Sequence, residues 1–234
     1  MPATVVFYYD FISPYSYIAF KLLQRLREPW ELTLDYRPVG LPHIIRSTNN
    51  SPPGNVPARR AFLQKDLARA CHMHGIPFMP AADFLKTNTR GAGLVATAAN
   101  CWVEAGRLHP EQTEALIAAI WDEFFAQRNA SIFTENPADL LPVVGRLLTE
   151  ESAQELIQLA ERLETLQRLQ ATTDEAIAQG AYGAPTMIVA RQGSKESEFF
   201  FGSDRFHHIA DFLGVDPRSF FDHTVEHHRA RSKM

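Results

Sequence analysis

Cysteine is scarce: Cys71 and Cys101 are the only two in 234 residues, and they make neither a CxxC pair nor a disulfide framework. That excludes a disulfide-stapled secreted scaffold and fits a reducing compartment. Long apolar runs are missing as well; no stretch approaches the roughly 18 consecutive apolar residues of a membrane-spanning helix. Neither sign of charge dominates. The 23 basic and 27 acidic residues leave a formal net charge of -4, which argues against a nucleic-acid or membrane-surface partner. No leader pattern precedes the first strand, so the reading is a cytoplasmic protein. Core, by contrast, is plentiful: 45% of the residues are hydrophobic, enough for one large domain or two intimate ones.

The most informative stretch is Val5-Val6-Phe7-Tyr8-Tyr9-Asp10-Phe11-Ile12-Ser13-Pro14-Tyr15-Ser16-Tyr17. Val5 to Tyr9 is apolar, β-branched and aromatic, the pattern of a central strand. Ser13 stands where an N-cap belongs, and Pro14 at the first helical position, where its missing N–H costs nothing. Ser13 is therefore expected at a helix N-terminus on the C-terminal edge of a sheet, where free backbone N–H groups and the helix dipole favour an anion. Taken alone, a Ser-Pro after a strand is a cap and nothing more.

Helical spacing runs from Pro14 to about Arg27. Leu32, Leu34 and Tyr36 then alternate with polar residues as a second strand, giving a right-handed βαβ unit. From Pro38 to Pro57 the prolines, Gly54 and Asn49-Asn50 are expected to exclude regular structure, and a polar loop of that length points to function. A helical block follows: Ala58 to about His74, stopped at Gly75-Ile76-Pro77; about Gly93 to Glu104; one opening at Pro110 with Trp121, Phe124 and Phe125 on its broad face; and starts at Asn136-Pro137 and at the capping box Ser152-Ala153-Gln154-Glu155. The last runs through Leu166, Leu169 and Ala176 to about Gly180. Strand pattern returns at Pro185 to Ala190 and Glu198 to Phe201, a hairpin, and Gly202-Ser203-Asp204 is expected to cap a closing helix. The order βαβ, helices, ββα predicts an α/β thioredoxin-like sheet interrupted by an all-helical insertion. The expected boundaries are residues 1–57 with 181–214 for the sheet unit, 58–180 for the insertion and 215–234 for a polar tail.

Ser13-Pro14-Tyr15-Ser16 occupies the place where thioredoxin-like disulfide oxidoreductases carry Cys-Pro-x-Cys. With oxygen in place of both sulfurs, dithiol exchange is impossible. What remains is an anion site for a sulfur from outside, whose thiolate form the Ser13 hydroxyl and helix N–H groups would stabilise. Ala184-Pro185-Thr186 is a second element; as residues it is a trans proline opening a strand, and in thioredoxin-like folds that proline is cis and faces the helix N-terminus, leaving Ala184 as a strand-like edge for a peptide. Gly202-Ser203-Asp204-Arg205 is a third, a further cap beside an acid able to hold an ammonium group.

These motifs, with Asn50-Ser51-Pro52-Pro53-Gly54 and Tyr182-Gly183-Ala184-Pro185-Thr186, resemble kappa-class glutathione transferases and the related 2-hydroxychromene-2-carboxylate isomerases of the DsbA-like thioredoxin superfamily, over roughly residues 4–214. The resemblance implies glutathione as the bound thiol. Ser13 would hydrogen-bond its thiolate, with the Pro14 and Tyr15 backbone nearby. Ala184, beside Pro185, would pair with its cysteinyl backbone; Ser203 and Asp204 would hold its γ-glutamyl end, and Asn50, with Asn49 and Asn55 as competitors, would reach it from the loop. Arg59 falls where the family has Lys, keeping the charge but not the geometry. A small aromatic electrophile is the expected substrate, and Phe11, His43 and Phe84 are the expected walls of its site. The resemblance favours the isomerase, with the transferase as alternative and a non-catalytic thiol-peptide binder as a reading of another class. It also implies a homodimer.

Other features carry no chemistry in this reading. His223-Thr224-Val225-Glu226-His227 matches the H-x-x-E-H of some zinc peptidases, but it lies in a polar tail with no third ligand, so no metal is expected. The terminal Ser-Lys-Met is similar to a peroxisomal address in two residues of three. Cys71 and Cys101 read as small core residues, and Asp10 either as a turn residue or as one that orients the Ser13 loop.

Overall fold

A computed structural model describes residues 2–81, 84–218 and 220. Strand β1 (Ala3–Tyr9) runs parallel to β2 (Leu32–Pro38), joined by helix α1 (Pro14–Leu26), as the spacing predicts. Strand β3 (Thr186–Arg191) adds antiparallel to the other side of β1, and β4 (Ser197–Phe201) antiparallel to β3, so the sheet order is β2-β1-β3-β4. Between the halves stand α2 (Leu41–Ser47), α3 (Pro57–His74), α4 (Arg90–Glu104), α5 (Pro110–Trp121), α6 (Leu141–Val144), α7 (Glu150–Ala160) and α8 (Leu163–Ala178). Helix α9 (Phe206–Leu213) follows β4. This is the thioredoxin-like order expected from the sequence.

Strand alternation divides β1 between two cores. Val5, Phe7 and Tyr9 face the larger one, which runs unbroken through α1 into α4, α5 and α7. There Trp121 lies within 5 Å of the ring centres of Tyr9, Phe11 and Phe20. Tyr8 points the other way, into a smaller cluster with Val39, Ile44, Ala176 and Ala181. The C-terminal end of β1 is thus clamped from both faces, and the Asp10–Ser13 loop leaves it from a fixed origin.

Three local expectations need correction. Residues 38–57 are not wholly irregular, because α2 forms within them. Pro42 falls in the first turn of α2, where no intrahelical N–H is needed, so the proline that argues against a helix is compatible with its start. Helix α7 starts ahead of the box read at Ser152. Thr149 is its N-cap, accepting from the Ser152 N–H at 3.3 Å, and Glu150 and Glu151 place negative charge in the first turn. The residue capping α9 is Arg205, with no side-chain bond, so neither Ser203 nor Asp204 caps it. Gly202 turns the chain at φ +98 and the Asp204 carboxylate folds back against it instead.

Candidate functional site

The first part of the site is the corner where β1 hands over to α1. The Ser13 N–H donates to the Asp10 carbonyl at 3.0 Å, closing the turn. Ser13 keeps an extended backbone, and its Oγ accepts from the Ser16 N–H at 3.1 Å, an N-cap with Pro14 at the first helical position. The same hydroxyl donates to the Ala184 carbonyl at 3.0 Å, across 171 positions of sequence. The Ala184–Pro185 peptide bond is cis. Ser13 and Pro185 are buried, and Ala184 is half-buried. The first turn of α1 holds no acidic residue, so its positive end has no built-in counter-charge. Ser16 is fully buried and its Oγ has no partner in the structure, so of the two serine hydroxyls in the motif it is that of Ser13 that reaches Ala184.

Other predicted residues gather around this corner at one remove. Asn50 Nδ2 donates to the Tyr182 carbonyl at 2.7 Å, tying its loop to the segment that ends at Ala184. Gly183 leaves room there: a Cβ would stand 2.9 Å from the Phe201 ring, which packs at a tilt against Tyr182. Tyr15 donates its hydroxyl to Asp66 of α3 at 2.6 Å, and burial, then Asp66 and Asp204, push its phenol well above the ordinary range. Asp204 is exposed and ion-paired with Arg205, whereas Ser203 is buried. Arg59 is exposed on the first turn of α3, and it is Arg60 that reaches the Gly54 carbonyl, at 2.6 Å. Among the described residues, Arg59 makes no bond to the Ser13 corner.

The second part is a cavity of about 1040 Å³ between α2, the start of α4 and α8. Asp10 and Ile12 contribute to its wall, whereas Ser13 does not. His43 lines it, with Nε2 3.1 Å from Asp174 and 3.2 Å from Gln170. Phe11 and Phe84 do not. Phe11 is 1% exposed between Tyr9 and Trp121, and Phe84 is 8% exposed against Phe124 and Phe125, so both belong to the core. An aromatic residue next to a motif is as often its foundation as its surface, and their sequence signal does not separate the two.

Asp10 joins the two parts. Its buried carboxylate accepts from the Ile12 N–H at 3.0 Å, from the Leu41 N–H at 2.8 Å and from the Thr89 hydroxyl at 2.7 Å. Burial raises its pKa, and the three hydrogen bonds pull against that rise. One side chain thus fixes the Ser13 loop, the start of α2 and the start of α4. An acid just after an apolar strand and shortly before a cap is visible in the sequence; its partners from α2 and α4 are not.

Burial pushes the Cys71 thiol up to about 12, which leaves it no thiolate at neutral pH. Among the described residues no three His, Cys, Asp or Glu side chains cluster as metal ligands. The His223–His227 pattern and the terminal Ser-Lys-Met lie outside the described residues, as does most of the tail expected at 215–234.

Comparison with known proteins places the chain in a family. Residues 4–214 match the family described as DSBA-like thioredoxin domain. The chain is 31% identical to human glutathione S-transferase kappa 1 over 92% of each protein. It is 26% identical to 2-hydroxychromene-2-carboxylate isomerase of Pseudomonas putida, over 90% of this chain and 94% of the relative. A solved structure of a 2-hydroxychromene-2-carboxylate isomerase superposes with a TM-score of 0.72 at 21% identity, covering 90% of this chain and 94% of the other.

Proposed function

The chain belongs to the family of DSBA-like thioredoxin domains, and from that premise we propose that it is a glutathione-dependent enzyme of the 2-hydroxychromene-2-carboxylate isomerase type. The observation that carries this is the Ser13 hydroxyl, held at the head of α1 and aimed at Ala184. When glutathione binds, that hydroxyl turns from the Ala184 carbonyl to the sulfur. Hydroxyl, helix dipole and the absence of an acid in the first turn then all favour thiolate over thiol. Ala184 and Pro185 offer the peptide edge, Pro14 and Tyr15 the backbone beside the sulfur, and Asn50, Arg59, Ser203 and Asp204 the outer contacts. Relatives named for glutathione, at 31% identity across nearly the whole chain, support the choice of thiol.

The chemistry is nucleophilic catalysis by a borrowed sulfur. The thiolate lone pair forms a C–S bond at the end of a conjugated system, and the displaced π pair moves onto the conjugated carbonyl oxygen. The former double bond, now single, rotates. The electron pair then returns, the C–S bond breaks, and glutathione leaves unchanged with the alkene in its other geometry. The transferase is the second reading, favoured by the kappa relatives at 31% against 26% for the isomerase. It shares the first step and differs in protonating and releasing the adduct. Among the described residues no helix is long and apolar enough to cross a membrane; a cytoplasmic homodimer completes the proposal, with light scattering as its test.

Incubation with glutathione and 2-hydroxychromene-2-carboxylate, or with chlorodinitrobenzene, separates the outcomes. An isomerase interconverts the first with all glutathione recovered; a transferase consumes glutathione with the second. Replacing Ser13 by Ala is expected to lower turnover about a hundred-fold while glutathione affinity changes only a few-fold, since the hydroxyl serves the charge on sulfur. Ultraviolet titration of bound glutathione should show its thiol pKa rising in the variant. Unchanged turnover and an unchanged thiol pKa would refute the role of Ser13.

A further inference from the structure

The wall of the cavity beyond Asp10 holds one imidazole, that of His43. The guanidinium groups of Arg46 and Arg90 stay protonated, and the Asp10 carboxylate is held by three donors, so none of these exchanges a proton with a guest. An imidazole is the side chain suited to both give and take a proton near neutral pH. His43 stands in the first turn of α2, half-buried. Its N–H donates to the Gly40 carbonyl at 2.9 Å, and the Gly40 N–H donates in turn to the Thr173 hydroxyl of α8 at 3.0 Å. The backbone that carries the ring is therefore fixed by α8, the helix that also supplies Asp174.

One ring nitrogen is committed and the other is not. Nε2 lies 3.1 Å from Asp174 Oδ1, and Gln170, one turn earlier in α8, donates to the same oxygen at 3.1 Å, which holds the carboxylate against the ring. Ser47 Oγ, one turn on in α2, also lies on the Nε2 side, at 3.4 Å. Nδ1 has no partner among the described residues. A carboxylate on one nitrogen fixes the tautomer and supports the imidazolium, and leaves the other nitrogen to carry a proton to and from a guest. As a stability device the pair has little to offer. The Asp174 side chain is 58% exposed, and exposed ion pairs contribute little. The Thr173 hydroxyl already ties α8 to the start of α2.

We propose that His43 is the general acid–base of the reaction and that Asp174 is the residue that positions it. The proposal rests on the thiolate reading above, which puts the attacking sulfur at Ser13, the residue after Ile12 of the cavity wall. As the C–S bond forms and the π pair moves onto the carbonyl oxygen, the imidazolium gives that oxygen its Nδ1 proton, and a neutral enol replaces an enolate. The single bond rotates. The neutral imidazole, still held by Asp174, then takes the proton back, the electron pair returns and the C–S bond breaks. Imidazole and glutathione end as they began, so no co-reactant is consumed. Sulfur and imidazole come from different elements, the head of α1 and the first turn of α2. That suits a conjugated system, in which the nucleophile adds at one end and charge develops at the other.

Turnover of 2-hydroxychromene-2-carboxylate by the full-length protein at saturating glutathione tests this. His43→Ala should lower kcat about a hundred-fold, and free imidazole added to that variant should raise it again about ten-fold, a rescue that a merely structural role does not allow. Asp174→Asn should lower kcat about ten-fold with KM nearly unchanged, and should cost nothing further in the His43→Ala background, because the carboxylate acts only through the ring. Glutathione affinity and the pKa of the bound thiol should match the wild type in all three variants. Turnover kept in His43→Ala, loss without imidazole rescue, additive loss in the double variant, or a shifted thiol pKa each overturns the proposal while leaving the thiolate reading in place. A wild type with no such turnover overturns the isomerase reading and this proposal together.

Discussion

The Ser13 corner and the cavity beyond Asp10 share one loop but are built by opposite means. The corner is made of backbone and small side chains: a cap, a proline at the first helical position, and a carbonyl from Ala184. The cavity is made of side chains from α2, from α4 and the residues just before it, and from α8, three segments far apart in sequence. Chemistry that must stabilise one charge on one atom is best served by rigid backbone N–H groups and a short hydroxyl, which lose little freedom when they act. Discrimination among acceptors needs side chains of adjustable length and charge, placed by whatever helices surround them. The difference teaches that reaction type and substrate choice can vary independently here, the first fixed by a few contiguous residues and the second spread over a hundred.

The sharpest way to break the cavity while sparing the corner is at Gly91. It follows Arg90 in α4, and its N–H donates to the Thr134 carbonyl at 3.0 Å. A Cβ there would stand 2.8 Å from the Thr134 oxygen and 2.9 Å from the Asn136 carbonyl carbon and oxygen, all of them backbone that cannot swing aside. Gly91→Ala should therefore cost about 3 kcal/mol, even after the gain in helix propensity. Urea unfolding measures the loss. At temperatures where the variant stays folded, binding of the aromatic substrate should fall while glutathione binding holds; equal damage to both would merge the two regions into one unit.

The same contrast explains what could be read from the sequence. The strands, the hairpin and the Ser13 cap follow from patterns within about ten residues each, and the approach of Pro185 to the head of α1 came through a family resemblance carried by short motifs, whereas the Ser13–Ala184 hydrogen bond is seen only in the structure. Helix α2 escaped because proline counts against a helix in bulk and for one at its first turn, and only position decides. Phe11 was expected as a wall of the acceptor site, yet the turn after β1 packs its ring into the aromatic core between Tyr9 and Trp121. The partners of Asp10 gave no signal at all: the Leu41 N–H and the Thr89 hydroxyl reach it only once α2 and the start of α4 are folded.

Asp10 is where the two regions can be uncoupled. In Asp10→Asn the amide oxygen still accepts, but its NH2 group must face either the Leu41 N–H or the Ile12 N–H and the Thr89 hydroxyl together, so one backbone donor is opposed in either orientation. The hydroxyl can rotate and accept; the backbone groups cannot. The expected cost is about 2 kcal/mol, from one buried donor left unpaired. Because both the Ser13 loop and the start of α2 hang from this carboxylate, glutathione affinity and acceptor preference should weaken together. Loss of one without the other would mean that the loop, and not Asp10, carries the connection.

The smallest effect at neutral pH belongs to His74, outside both regions, and it separates failure of the site from failure of the fold on the acid side. Burial first, and the Arg25 charge second, hold its imidazole down at about 4 against an ordinary 6.5. Its Nδ1 is buried without a partner, and its ring lies against Phe220. Above pH 6.5 neither folded nor unfolded chain is protonated there, so His74→Leu should leave stability nearly unchanged. As pH falls from 6.5 towards 4 the unfolded chain takes up the proton and the folded one does not, so the wild type should lose up to about 3 kcal/mol that the variant keeps. Thermal unfolding of both proteins across this range reads the gap. If the gap opens as expected while the acid limb of glutathione-dependent turnover stays the same in both, that limb reports the thiol at Ser13; if the limb shifts with the variant, it reports the stability of the fold, and the thiolate must be titrated directly.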